Sequence, residues 1–565
     1  MRDPRTDPDR GTGLQRFIGR PYREAVAEMW GHLGAWEPFR YDEQGDLWQD
    51  ELRLLDAVAA YASPLEVVDT RRVEQRCHAW MSLAREEARR AGYPGRLDFL
   101  YAAKANMASE VAHAAYRGGW HAETSSAQDL AHLRWLREND LLPEGLRVVC
   151  NGFKLPPARI RAAAPKSRQP AATSLPLPPG DDVARSVREL PYAARIVEMA
   201  EAGWDISPIL DTGELGFFAA EGMPDMKVGL RTKFGRVDDD AELAAHVSRF
   251  GFSRDALFEA AATIADAPHL QLTTLHAMVG AATTMPVAEM VAALGHAGRL
   301  YAALRREHPT LRELNMGGGV PPLGEDYDHA GLLAGIFAEL SAAAAAAEVP
   351  PPDLTFEFGS LVAAECGLHV FHVLHEKTNA TDGLPWAIVD GGLMAAIPDM
   401  LLIDKPFRIV ALSGANRPAR AVRLGDLSCD SDGRYPPESF GEDAVVLLPE
   451  PTTDEQGKPT ETWLAVLGVG AYQEILSGVR GAHHCGLLEA MELIIEAGAD
   501  GAPAARVVPR QTRDQAAEQL GYGPDAVAPL RRAMAGRPTM PPHEEHGPDI
   551  PRSPSHRPSR APGAS

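Results

Sequence analysis

Cysteine is scarce in this chain: Cys77, Cys150, Cys366, Cys429 and Cys485 are the only five among 565 residues, and no two form a CxxC pair. That spacing argues against a cysteine-rich metal module and against an even disulfide framework, and it fits a reducing cytoplasm. Positive charge is also in short supply. Lys and Arg number 56 against 78 Asp and Glu, a net charge of −22. Phosphate binding needs a basic surface, so neither nucleic acid nor an anionic membrane is expected as a partner. No apolar run approaches the ~20 residues of a membrane crossing, and the start, Met1-Arg-Asp-Pro-Arg-Thr-Asp-Pro, lacks the apolar core of a signal peptide. A soluble cytoplasmic protein is expected.

What is present is ordinary globular composition, 45% hydrophobic and 24% charged, in a chain long enough for roughly three to four folding units. Residues 1–16 are polar and read as disordered. Residues 17–62 hold several aromatics and read as a segment that contributes to a β domain or forms a helical appendage. From residue 63 a strand and a helix lead into short apolar strands alternating with Ala-rich helices, with strand candidates at 97–103, 148–150, 205–210, 227–230, 270–275, 311–315 and 354–358. Repeated βα units predict an α/β fold, a parallel (β/α)8 barrel over 63–375. A Pro/Ser/Ala/Gly-rich stretch at 164–190 interrupts the rhythm and reads as a flexible insertion. Strands separated by turns then predict a mostly-β domain over 376–485. A helical extension is expected over 486–537, including 487–497 and 514–532, and a disordered tail over 538–565.

In a barrel the reactive groups belong just after the strands. Lys104, in Tyr101-Ala-Ala-Lys-Ala-Asn106, ends the first apolar strand. Desolvation and neighbouring charge there can depress an amine's pKa and make it a Schiff-base nucleophile; a snorkelling strand-end lysine is the plain alternative. Gly317, Gly318 and Gly319 follow another strand, where bare backbone N–H groups can cradle a phosphate or simply turn the chain. Glu357 ends an apolar strand and needs a charged or hydrogen-bonding partner there. Cys429 is followed by Asp430 and Asp432 in a Ser/Gly turn, which is no setting for a core cysteine. His483 and His484 precede Cys485, but adjacent residues do not face one site, so no metal ligation is expected there.

These strings, in the same order over about residues 63 to 480, resemble the pyridoxal phosphate (PLP)-dependent ornithine/diaminopimelate/arginine decarboxylases, which share their barrel with alanine racemase. Cys150-Asn-Gly-Phe-Lys154, Cys429-Asp430 and Gly470-Ala-Tyr472-Gln-Glu-Ile-Leu476 are most like the biosynthetic arginine decarboxylases. The resemblance implies a PLP-binding barrel with a C-terminal mostly-β domain. It makes Lys104 the PLP amine and Glu357 the partner of the ring nitrogen. It places Glu123, Arg231, His276, Met278, Ser360, Tyr472 and the three glycines around the cofactor. It also makes Cys429 the proton donor, sets Asp430 and Asp432 against a cationic substrate, and implies a homodimer or higher homo-oligomer with shared sites. Mg2+ is implied by the resemblance alone.

The chain departs from that pattern at Met278, where the relatives stack a histidine on the ring, at Ala281, where they have a phosphate-binding serine, and at Ser360, where they have an arginine. The function implied is decarboxylation of a small basic L-amino acid, arginine to agmatine in polyamine biosynthesis. Ornithine, lysine, diaminopimelate or a related amino acid is the alternative substrate. The alternative of another class is a catalytically degenerate binding or regulatory protein.

Overall fold

The structure, a computed structural model, describes residues 14–30, 38–154, 192–233, 249–281, 285–441, 444–453, 456–457, 460–477, 483–498, 501–523 and 531. The expected insertion at 164–190 and tail at 538–565 lie outside these residues, as does most of 1–16, in which Leu14 already begins the short 3-10 helix Leu14–Phe17. The chain forms two units, Met1–Thr512 and Arg513–Ser565. In the second unit the helix Arg513–Gln519 is described.

Eight strands form the first layer of the larger unit: β1 (Leu97–Ala102), β2 (His121–Thr124), β3 (Val148–Cys150), β4 (Ile206–Leu210), β5 (Met226–Thr232), β6 (Leu270–Ala281), β7 (Glu313–Gly319) and β8 (Asp353–Phe358). They pair in chain order, all parallel, and β8 returns to β1 through Phe356↔Phe99 and Phe358↔Tyr101, which closes the barrel. Strand alternation then sorts the side chains. Phe99, Phe356 and Phe358 point outward; Phe99 stacks on Phe356 at 5.6 Å, and the Trp80 ring meets Phe356 and Phe358 edge-on at 5.7 and 5.6 Å. Leu100, Val149 and Ile209 form a small apolar cluster inside. On the other strands the inward positions are polar: Glu357 beside Leu100, Glu123 beside Val149, and Arg231, His276 and Asn315 on β5, β6 and β7.

Trp80 is delivered by the helix Thr70–Ala91, whose start is fixed by Asp69 accepting the Arg71 N–H (3.1 Å) and whose end is set by Gly92 in the left-handed conformation. By length and composition the helix His329–Ala346 could cross a membrane, contrary to the expectation that no run comes close. Its Leu332, Leu333, Ile336, Phe337 and Leu340 are buried in the barrel's own core, and it packs on the helices Val287–Glu307 and Thr70–Ala91.

The boundaries of the barrel differ from those expected. Leu65–Asp69 and Gly367–Thr378 belong to the second sheet, because the β8–β1 closure leaves no barrel edge for them to join. There Leu65–Asp69 lies between Gly367–Thr378, antiparallel, and Met491–Ala497, parallel. Met491–Ala497 is thus a strand, not the helix expected over 487–497, and it pairs onward with Pro503–Val508. Met-Glu-Leu-Ile-Ile-Glu-Ala is acceptable to a helix by propensity, but strand pairing on both sides buries Leu493, Ile494 and Ile495 together. Of the helix expected over 514–532, residues 524–530 and 532 lie outside the described residues. The N-terminal segment packs on this sheet: Tyr22 and Tyr41 hydrogen-bond the two backbone groups of Ala411, at 2.9 and 2.7 Å.

Candidate active site

At the end of β1 the chain tightens into a 3-10 turn, Ala103–Ala105, which carries Lys104 over the barrel mouth. Its side chain remains 38% exposed, while its amine reaches two buried carboxylates: Nζ lies 3.2 Å from Glu123 Oε2 and 3.7 Å from Glu357 Oε1. Glu123, next to last in β2, also accepts from Ser125 Oγ (2.8 Å) and Asn151 Nδ2 (3.0 Å). Glu357, near the end of β8, accepts from Asn315 Nδ2 (3.2 Å) and sits 3.5 Å from His276 Nε2.

The electrostatics correct one expectation. Burial alone would lower the Lys104 pKa, but Glu123 and Glu357 outweigh it and hold the ammonium above the ordinary lysine value. Burial pushes Glu123 up, against the pull of Lys104. Burial would also raise Glu357, yet neighbouring positive charge and hydrogen bonds keep it below the usual carboxylate range. Burial drives His276 toward its neutral form, so the lasting cationic partner of Glu357 is Lys104.

The barrel register explains the rest of the wall. His276 lies beside Arg231 on one side and Asn315 on the other, and Met278 lies beside Gly317. A Cβ on Gly317 would come 2.9 Å from His276 Nε2 and 3.1 Å from Met278 Sδ, so a side chain there would push against both. Gly318 has φ +137°, a backbone that other residues rarely adopt, and Gly319 completes the strand. The Met278 side chain is exposed at the mouth, and the Arg231 guanidinium lies over the Phe250 ring at 4.2 Å. Ser360 opens the short helix Ser360–Ala363 directly after β8.

The β domain contributes Tyr472. Its N–H donates to Ala105 O (2.8 Å), and Asn106 Nδ2 donates to Gly470 O (3.0 Å), so the Gly-Ala-Tyr turn is seated on the turn that bears Lys104. Several buried polar atoms inside the barrel have no hydrogen-bond partner among the described residues: both ring nitrogens of His276, Asn315 Oδ1, Asn151 Oδ1 and Thr355 Oγ1. Buried polar atoms are ordinarily satisfied, and a group of such atoms beside an amine marks a site built for a polar ligand. Sequence reasoning gives neither Asn151 nor Asn315 a role; the available signal is a polar amide after the strand 148–150 and at the end of the strand expected over 311–315.

Cys429, Asp430 and Asp432 are placed elsewhere. They lie in an exposed turn where Cys429 Sγ is 3.4 Å from Cys485 Sγ, Asp430 Oδ2 is 3.7 Å from His484 Nε2, and the Asp432 N–H donates to Asp430 Oδ1 (3.0 Å). None of their contacts among the described residues reaches Lys104, Glu123 or Glu357. His483 points away from His484, toward Glu489 at 3.8 Å. A cavity of about 270 Å³ lined by Met107, Tyr116, Leu133 and Trp135 lies beside the barrel and holds none of the mouth's charged groups.

No family profile matches the chain. Among curated proteins it is similar to the biosynthetic arginine decarboxylase of Klebsiella pneumoniae (strain 342), 36% identical over 92 residues, 16% of this chain. The match spans only 14% of that relative's length. Among solved structures it is similar to the biosynthetic arginine decarboxylase from Campylobacter jejuni, with a TM-score of 0.66 and 18% identity over 92% of this chain and 95% of that one. The diaminopimelate decarboxylase from M. jannaschi gives a TM-score of 0.63 at 15% identity, over 87% and 99% of the two chains. The resemblance read from the motifs is therefore borne out by both comparisons, and the fold, a closed parallel barrel with a mostly-β domain, is shared with these structures.

Proposed function

We propose that this chain is a PLP-dependent decarboxylase of a basic L-amino acid, with L-arginine as substrate and agmatine and CO2 as products. The observation that carries the reading is the Lys104 amine held between two buried carboxylates at the C-terminal mouth of a closed barrel. The local similarity to arginine decarboxylases supports the choice of substrate.

The residues at the mouth fit PLP. Lys104 offers the amine for its aldehyde, Glu357 a buried anion for a protonated ring nitrogen, and Met278 and His276 a wall for the ring. The backbone of Gly317, Gly318 and Gly319, with Ser360 and the Tyr472 hydroxyl, would hold its phosphate. Bound there, PLP supplies an electron sink for the carbanion left at Cα when CO2 departs. Glu357 keeps the ring nitrogen protonated. Glu123, hydrogen-bonded to the amine, takes the proton that Lys104 must lose before it can act as a nucleophile. The Cys429 thiol returns one proton to Cα and is itself reprotonated from solvent. Asp430 and Asp432 pair with the substrate's distal cation. Because the Cys429 turn stands apart from Lys104 within one chain, a second copy supplies it, and the working form is a homodimer in the cytoplasm.

Decarboxylation of diaminopimelate, lysine or ornithine is the second reading, favoured by the likeness to a diaminopimelate decarboxylase. A substrate panel with PLP and CO2 detection tests both. The first reading requires the largest kcat/KM for L-arginine. CO2 release from none of the panel would support the degenerate alternative instead.

A further inference from the structure

Away from the barrel mouth, the register of the second sheet lines up three ionisable side chains in a row. Glu66 is paired with His369 on one neighbouring strand and with Glu492 on the other, and residues directly opposite in a sheet share a face. Glu474, from the short helix Glu474–Ser477, joins them. One ligand atom each from Glu66, His369 and Glu474 lies within 4.8 Å of the other two. Glu489 is buried nearby, and with Glu474 and Glu492 it raises the Glu66 carboxyl further, after burial itself.

Glu66 and Glu489 are buried, and a carboxylate that ionises out of water is costly unless a cation or a shared proton offsets it. A second observation points the same way. His369 is only 3% exposed, and its Nε2 has no hydrogen-bond partner among the described residues. Its ring, with Glu474, His483 and Glu489, borders a cavity of about 30 Å³, room for an ion or a water.

We propose that Glu66, His369 and Glu474 form a buried binding site for a divalent first-row transition cation. Two carboxylates and one imidazole suit Mn2+, Fe2+ or Zn2+, whereas Mg2+ favours all-oxygen shells rich in water. The site also has a consequence for the barrel. Glu474 lies two residues beyond Tyr472, whose N–H is bonded to Ala105 beside Lys104. A cation that ties Glu474 to the sheet therefore fixes the turn that closes over Lys104. Cation binding stands independently of the decarboxylase reading; only this positioning role rests on it.

The test uses the untagged full chain in a Cys429→Ala/Cys485→Ala background, which removes the thiol pair beside His484 as a competing ligand set. After chelator treatment, Mn2+, Zn2+ or Mg2+ is added, free metal is dialysed away, and bound metal and Tm are measured. The expected result is one equivalent of Mn2+ or Zn2+ per chain with a raised Tm, and at least tenfold weaker retention in Glu66→Gln and in His369→Gln. Glu66→Gln is close to isosteric, so its Tm without metal should equal or exceed that of the parent, which separates lost ligation from misfolding. No retained transition metal in the parent, or unchanged retention in both variants, would overturn the site. Mg2+ binding that ignores His369→Gln would do the same. PLP retention measured on the same samples keeps the two readings apart: a chain that holds the cation but never PLP removes the proposed function and leaves this site standing.

Discussion

The Lys104 amine lies 3.2 Å from a carboxylate oxygen of the fully buried Glu123. That pairing decides how the amine behaves before any ligand arrives. Lys104 is held above its ordinary pKa of 10.5, so near neutral pH nearly all of it is ammonium. The free-amine fraction then rises about tenfold per pH unit up to that pKa. PLP-free protein mixed with PLP should become borohydride-trappable at a rate that climbs steadily from pH 6 to pH 9. A plateau at or below pH 8 would mean that the carboxylates do not hold the proton. Glu123→Gln, by removing the nearest negative charge, should lower the Lys104 pKa and raise the trapping rate at each pH in that range.

Glu357 is the more distant carboxylate, 3.7 Å from the amine, and its assigned work is on the ring. Glu357→Gln keeps the shape and the Asn315 contact but removes the anion. The variant should retain trappable PLP while kcat falls by on the order of 10²-fold or more. Full activity in this variant would take Glu357 out of the mechanism.

The barrel strands and the residues at their ends were legible in the sequence because apolar runs, helical spacing and strand-end chemistry are all local signals. Lys104 follows a run that is a strand in the structure, and Glu357 and the glycine triplet stand at the ends of two others. The Lys104 environment was not legible: Glu123 reaches it through the pairing of β2 with β1, and Glu357 only when β8 closes on β1, across more than 200 residues of chain. The strand Met491–Ala497 was misread for a similar reason. Its partner Leu65–Asp69 lies at the other end of the chain, and a single sequence carries no signal of that pairing. Closeness between Cys429 and Cys485 likewise belongs to the fold alone.

If the Cys429 turn serves a neighbouring copy, two inactive variants should rescue each other. Lys104→Ala lacks the amine and Cys429→Ala lacks the proton donor. Mixed as equal amounts and allowed to exchange, they should regain up to about one quarter of parental activity, from hybrid dimers carrying one intact site. No recovery, with exchange verified by a mass tag, would place the thiol in its own chain's site or outside catalysis.

Trp80 supports the site from behind. It is fully buried and meets Phe356 and Phe358, which flank Glu357, edge-on. Trp80→Ala should cost about 3–5 kcal/mol in urea denaturation and should loosen PLP retention through β8. Loss of stability with unchanged PLP affinity would show that the strand holds Glu357 without this buttress.

The account depends above all on which nitrogen meets the cofactor. PLP-loaded protein reduced with borohydride and mapped by peptide mass spectrometry should carry its pyridoxyl label on Lys104, one per chain, and Lys104→Ala should carry none and release no CO2. A label on any other lysine, or no label in protein saturated with PLP, would contradict it.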